Sequence, residues 1–507
     1  MIISLSVLVI TIIVSGTYAL YKAQLSKNIG VNTTTHGLAY YINYVKGTDI
    51  TAATLNPSTS YEGGASSDIE FWKKDDSYDI YGKIELTVNT IGTNLSNSPA
   101  LKYAVVNNGN VLKEGSLKGT TSGSKVTILK NLYLEQTKQI YTVYVWLDNS
   151  EELGNISNES LSISVDCTAS LQKEPTAADT IISLYTSAAK VTATNNSITY
   201  NTAPSVSLMN DRLGGTTTSL DGGNIRYYGA SPNNYIYFNC SDYSNQTSST
   251  CETWRIIGVF DGKLKLIRGS QIGKYSWDNK NTSTGAENNY GKNDWTTARL
   301  MKLLNPRDYY KVDSNDNNLG QSLYYNSASG KCYSGQNNAT VDCDFTSTGI
   351  KNDETRNMIA ETTYYLGGWN SNSVYSNQIY EYERGTTVYT GRPPTWPGKI
   401  ALAYPSDYGY AADLNQCKDK TLYDYDNSTC TSNNWMKAIL GTSSHGWLLT
   451  PRSGGSYNAW NVYSGGYVGS TYLAYYAIGA VPVLSLSSKL GIESGDGSSS
   501  NPYKLSA

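Results

Sequence analysis

The 507-residue chain predicts a multidomain protein, with an N-terminal transmembrane helix, an all-β sandwich and a larger α+β domain towards the C-terminus. Three observations carry this prediction. An apolar run without a single charge extends from Ile2 to Leu20; apolar and polar residues alternate strictly in several segments between Lys83 and Asp166; and from about residue 203 the texture turns irregular, rich in tryptophan and glycine, with short strands and few helices.

The first element follows from length. At about 1.5 Å rise per residue a helix over Ile2–Leu20 covers a hydrocarbon core of about 30 Å. No basic stretch precedes the run and no A-x-A pattern stands around Gly16 to Ala19, so residues 1–28 read as an uncleaved, single-pass anchor that reaches the membrane through residues 2–20. Lys22 and Lys27 follow it. The positive-inside rule puts that flank in the cytoplasm, against the extracellular location that the cysteines imply below.

Residues 29–66 are rich in Thr, Asn, Gly and Ser without sustained periodicity, and read as a stalk. Lys83 to Val88 then alternates cleanly, as do Ile140 to Leu147 around Tyr141, Val143 and Val145, and Leu161, Ile163 and Val165. Between Tyr103–Val106 and Val111–Leu112 lies Asn107-Asn108-Gly109-Asn110, a hairpin signal. These half-buried strands place a small β-sandwich over 67–168. Residues 169–202, with one short apolar pattern at Thr180–Tyr185, read as a linker.

The large domain spans 203–488. Arg255–Phe260 and Lys263–Ile267 read as strands. A helix is expected from Asp294, as N-cap, to Leu304 before Pro306, and a second over Met358–Leu366 before Gly367-Gly368. Residues 489–507, with Ser494–Ser500 rich in Gly and Ser, read as a mobile tail.

The cysteines fall as Cys167 alone and three local pairs: Cys240 with Cys251, Cys332 with Cys343, Cys417 with Cys430. Each pair encloses a hydrophilic loop and none has C-x-x-C spacing, so three loop-closing disulfides and an oxidising exterior are expected. Composition narrows function further. Thirty-nine basic against 42 acidic residues leave a net charge of −3, which disfavours nucleic acid and anionic lipid as partners. His36 and His445 are the whole histidine complement, too few for familiar triad or multi-histidine metal chemistry. Against 4 Phe stand 44 Tyr, and with Ser, Gly and Asn these form the palette of recognition surfaces.

Taken together, Thr253-Trp254-Arg255-Ile256-Ile257-Gly258-Val259-Phe260, Asn293-Asp294-Trp295 with its helix, Gly446-Trp447-Leu448-Leu449-Thr450-Pro451-Arg452-Ser453, and Ala480-Val481-Pro482-Val483-Leu484 resemble an uncharacterised bacterial surface family of Gram-positive gut bacteria. That family is related to the C-type-lectin-like fold of formylglycine-generating enzymes and of retroelement-diversified variable proteins. The resemblance covers about 220–488 and implies a C-type-lectin-like domain. The strand Tyr144-Val145-Trp146-Leu147-Asp148 loosely resembles the immunoglobulin-like sandwiches that accompany such domains. Members usually carry Arg before the Pro of the last strand; here Val481 occupies that place, so a salt link expected in relatives is not expected here.

The resemblance also brings an oxidase as an alternative, since formylglycine-generating enzymes hold copper between two free thiolates. Cys417 and Cys430 sit in a loop suited to a disulfide and no cysteine follows, so that activity is not expected, nor any other enzyme activity. Glu381, Glu383 and Asp407 offer carboxylates for glycosidase chemistry but read as solvated loop residues. No E-P-N or Q-P-D calcium motif is present. No cofactor or metal is therefore expected.

The binding reading rests on Ser453–Ala477. Tyr457, Asn458, Trp460, Asn461, Tyr463, Tyr467, Ser470, Tyr472, Tyr475 and Tyr476 are interleaved with glycines there, and in the diversified relatives this stretch is the variable ligand-contacting region. Val462, Val468 and Ile478 are expected inward, His445 as a structural residue, and Gly391–Pro397 as rigid scaffolding. The expectation is an adhesin-like surface protein that recognises an extracellular protein or glycan. A structural or pilus-like surface component is the alternative.

Overall fold

The computed structural model describes residues 23–25, 41–52, 55–151, 153–156, 158–212, 223–278, 290–311, 319–333, 340–441 and 445–506. The chain divides into two compact units, Met1–Glu174 and Pro175–Ala507. It is β-rich throughout.

The first unit is a two-sheet sandwich. Ala23–Leu25, Leu161–Ser170, Tyr81–Ile91 and Lys125–Tyr133 pair in that order, with Ile50–Thr51 added on Leu161–Ser170. The facing sheet runs Ile42–Val45, Ala65–Lys73, Ile140–Asp148, Leu101–Asn107 and Asn110–Ser116, with Pro57–Ser58 parallel to Ile140–Asp148. Alternation works here because each sheet has one covered face. Ile69, Phe71, Ile84, Leu86, Val88, Val105, Val143, Val145, Ile163 and Val165 all point into one core. Each such side chain contributes about 1.5–3 kcal/mol of burial. The hairpin forms at Asn108 and Gly109, both at positive φ, 50° and 77°, as a tight turn between right-twisted strands demands.

Two boundaries differ from the expectation. The stretch expected as a stalk builds sandwich strands from Ile42 onward, with Ile42 and Ile50 buried and the Tyr44 hydroxyl donating to the Val165 carbonyl at 3.3 Å. Strands of two to four residues are too short to show a period, and only their neighbours reveal them. The proposed membrane segment, residues 2–20, lies outside the described residues, as does His36. Ala23–Leu25, at the end of the expected anchor, pairs with Cys167–Ala169. Among the described residues no helix is long and apolar enough to cross a membrane.

The second unit holds a nine-stranded sheet centred on Glu252–Phe260 and Lys263–Arg268. Its five-stranded sheet runs Gly273–Ser276, Ala477–Ala480, Gly446–Pro451, Asn458–Val462, Val468–Leu473. Trp254, Trp277, Trp295 and Trp447, all fully buried, fill the space beneath. The expected linker is part of this core: Ala177–Ser187 is a helix that buries Ile181 and Tyr185, started by a capping box between Thr176 and Asp179. The expected tail is ordered as well. Gly491–Ser494 pairs with Lys504–Ser506, and Tyr503 and Leu505 are buried.

Helices are shorter than periodicity suggests. The one expected from Asp294 covers Arg299–Leu304, because the Asp294 carboxylate accepts from the Thr296 amide and hydroxyl and holds a turn first. The one expected over Met358–Leu366 is instead a helix Asp353–Met358 followed by a strand Thr362–Tyr365, which pairs with Thr395–Gly398, a strand that overlaps the end of Gly391–Pro397. The three disulfides form as expected: Cys240–Cys251, Cys332–Cys343 and Cys417–Cys430. Cys167 is a free, buried thiol in the sandwich, and burial raises its pKa.

Candidate functional site

The segments that carry the resemblance meet at one place. The Asn293 side-chain amide donates to the carbonyls of Arg452, Gly455 and Asn458, at 3.0, 2.6 and 3.0 Å. It thereby fixes the loop between the strands Gly446–Pro451 and Asn458–Val462. Trp447 donates its ring N–H to the Tyr275 carbonyl at 2.9 Å, and Trp277 to the Leu448 carbonyl at 3.2 Å, locking the strand from both sides.

The ten residues expected to bind ligand separate into two sets. Asn458, Trp460, Asn461, Ser470 and Tyr475 are buried, and for these the expected surface role is corrected. The reason is position: Asn458–Val462 is interior to its sheet and covered on both faces, so alternation no longer sorts inside from outside. Trp460 packs with Leu448 and Val462 on one side, Ala459 with Trp447 on the other. Asn458 donates to the Thr471 carbonyl at 2.8 Å, and Ser470 to the Asn372 side-chain oxygen at 2.6 Å. Among the described residues neither amide atom of Asn461 has a hydrogen-bond partner. Val462, Val468 and Ile478 are buried.

Tyr457, Tyr463, Tyr467, Tyr472 and Tyr476 are half-buried at the surface. They belong to a continuous row of rings. Tyr423 meets Tyr467 edge-on at 5.5 Å, and Tyr467 stacks on Tyr463 at 4.1 Å. Tyr463 and His445 each meet Tyr472, at 5.7 and 5.3 Å, and Tyr472 leads to Tyr476 at 4.9 Å. Tyr476 adjoins Tyr475 at 4.6 Å, Tyr475 adjoins Tyr290 at 6.1 Å, and Tyr290 adjoins Tyr457 at 5.0 Å. Two glycines make the stacked pair possible. Gly466, at φ 103°, closes the turn that returns Tyr467 over Tyr463, while a Cβ on Gly469 would lie 2.6 Å from the Tyr463 ring.

Tyr423, which begins the row, and Tyr290, which links Tyr475 to Tyr457 at its other end, are 52% and 41% exposed and were not among the expected residues. Tyr423 stands in the loop closed by Cys417–Cys430, far in sequence from the tyrosine-rich stretch, and no local pattern singles it out. His445 is part of the row. Its Nδ1 accepts from the Ser464 amide at 3.0 Å and burial lowers its pKa, so the ring is neutral at pH 7 with its proton on Nε2. Burial, aided by Tyr463 and Tyr423, raises the Tyr467 pKa, and burial raises those of Tyr463 and Tyr472, which keeps these phenols as hydrogen-bond donors.

The carboxylates considered for hydrolysis are arranged for stability. Glu381 is exposed, whereas Glu383 and Asp407, expected in solvated loops, are fully buried. Asp407 accepts from Arg226 at 3.0 Å and pairs with Lys265, and Arg226 bonds Asp211 at 2.5 Å. Burial pushes the Asp407 carboxyl up, but Lys265 and Arg226 outweigh it and hold its pKa below the ordinary value. Glu383 accepts from the Ser406 amide and hydroxyl at 2.9 and 2.5 Å; burial, only partly opposed by Arg384 and Ser406, lifts it to about 7. Among the described residues no group of His, Cys, Asp and Glu is placed to hold a metal ion.

No family model matches the chain, and no curated protein matches it significantly. Among solved structures, the receptor binding domain of botulinum neurotoxin mosaic serotype C/D is 12% identical over 52% of this chain and 75% of that one, with a TM-score of 0.15. The botulinum neurotoxin serotype D binding domain is 11% identical over 50% of this chain and 75% of that one, also with a TM-score of 0.15. Scores this low carry no argument about fold or ligand.

Proposed function

We propose that the chain is an adhesin-like recognition protein, membrane-anchored through residues 2–20, that binds an extracellular protein or glycan through the aromatic row of a C-type-lectin-like domain. The row carries the reading: half-exposed rings with protonated hydroxyls, held on a rigid sheet, combine apolar contact with hydrogen bonding at low entropic cost. Three disulfides support an oxidising, extracellular location. The test is capture by the full chain in detergent on glycan and extracellular-protein arrays, repeated with Tyr467→Ala. Capture lost with an unchanged melting temperature supports the reading; ring-independent capture refutes it.

A second reading, a structural or pilus-like component, is favoured by one observation. Asn110–Ser116 lies at the edge of its sheet with Val111 and Leu112 exposed, 43% and 39%, a strand edge that a neighbouring chain can extend. Concentration-dependent self-association abolished by Val111→Lys would support it.

A further inference from the structure

We infer that the aromatic row takes an uncharged oligosaccharide chain, laid along the rings from Tyr423 to Tyr290. This rests on the row being the recognition surface. The first argument is shape. The row runs ring to ring in steps of 4.1 to 6.1 Å, each comparable to one sugar unit, and its two most exposed rings, Tyr423 at one end and Tyr290 beside Tyr457 at the other, lie far apart along it. A pyranose presents C–H bonds on its faces and hydroxyls around its rim. Exposed Tyr423 and Tyr290 offer rings for the C–H faces, while half-buried Tyr467, Tyr463, Tyr472 and Tyr476 between them offer edges and phenolic hydroxyls for the rim, with buried Tyr475 backing the row beneath.

Charge gives the second argument. Asp426 is the charged group that bears on Tyr467, and it repels an anionic ligand. Two arginines near the Tyr457 end are turned to groups of the protein itself, Arg452 donating to the Asn370 carbonyl at 3.2 Å and Arg392 to the Ser456 carbonyl at 3.2 Å and the Asn293 side-chain oxygen at 3.4 Å. Among the described residues, these arginines and Asp426 do not match the bidentate demand of a sulfate, phosphate or sialic carboxylate.

The third argument weighs against a protein ligand. A standard protein interface needs about 800 Å² per partner around a dry apolar centre. In this unit the exposed large hydrophobics among the described residues are Val191, Tyr290, Val341 and Tyr423, and two of these four belong to the row. Of the apolar side chains between them, Val462, Val468 and Ile478 are buried and Leu473 is half-buried. Among the described residues the surface therefore presents a narrow line of rings with no fully exposed aliphatic side chain at its centre.

The experiment is calorimetry of the full chain in detergent with cello-, manno- and chito-oligosaccharides of graded length, their sulfated or sialylated counterparts, and an extracellular-protein array in parallel. The expected result is binding to a neutral series that tightens with chain length, is insensitive to salt, and weakens about tenfold on Tyr423→Ala and on Tyr290→Ala. Binding restricted to anionic sugars, or no sugar binding beside protein capture that depends on Tyr467, overturns the glycan inference and leaves the recognition surface standing. Capture of any ligand that ignores every ring substitution overturns the surface itself.

Discussion

Replacing Glu383 by Gln isolates the energetics of the buried interior. The carboxyl is fully buried, accepts two bonds from Ser406, and is displaced from 4.5 to about 7. That displacement corresponds to a preference of about 3 kcal/mol for the neutral form in the folded state. Because the folded pKa is the higher one, the folded chain holds more protons between those two values. Its contribution is fully present below the unfolded value of 4.5 and is lost as pH rises through about 7. Glu383→Gln removes the ionisation while keeping an acceptor for the Ser406 amide. The assay is urea denaturation of both proteins at about pH 5 and about pH 8. Relative to wild type, the variant should gain up to about 3 kcal/mol between the two conditions. Paired measurement cancels Asp407, whose lowered pKa works in the opposite direction, losing stability as pH falls. An unchanged difference at the two pH values would refute the argument, because it would mean that the carboxyl is not held neutral by burial.

Other outcomes follow from the same geometry. Tyr472→Ala should cost about 3 kcal/mol in chemical denaturation, since the ring contacts His445, Trp447, Tyr463 and Tyr476, whereas Tyr423→Ala, with one ring neighbour, should cost under about 1 kcal/mol. Equal costs would contradict the row's division into packed centre and open ends. Asn461→Leu should be neutral or stabilising by about 1 kcal/mol, because both amide atoms are buried without partners among the described residues, and a marked loss of stability would reveal a partner for the amide. His445, held neutral by burial, contributes stability above its unfolded pKa that is lost as pH falls through its lower folded value; His445→Gln should flatten that acid limb, and an unaltered limb would count against it. Reducing Cys240–Cys251, which lies against the main core, should cost about 3 kcal/mol in denaturant stability, and no change on adding reductant would contradict that.

The sandwich was legible because its strands each have one covered face, so Ile84, Leu86 and Val88 alternate in sequence as they do in space. The same rule misled at Asn458–Val462, where both faces are covered and Trp460 and Asn461 are equally buried. The helical pattern at Thr180–Tyr185 was visible but read as part of a linker, because its Thr, Ala, Ser and Asn flanks masked the Ala177–Ser187 helix, whose capping box between Thr176 and Asp179 carried the signal. The disulfides could be read because each pair is local, separated by 11 to 13 positions. Tyr423 and Tyr290 could not, since only the fold brings their rings against Tyr467 and Tyr475 of the row.

Tyrosine footprinting by hydroxyl radicals and mass spectrometry, on the full chain with and without whichever array component it captures, addresses the recognition surface most directly. The account predicts that Tyr423, Tyr467 and Tyr290 are oxidised in the free protein and protected together in the complex. Protection elsewhere on the chain, with those three rings equally reactive in both states, would contradict it.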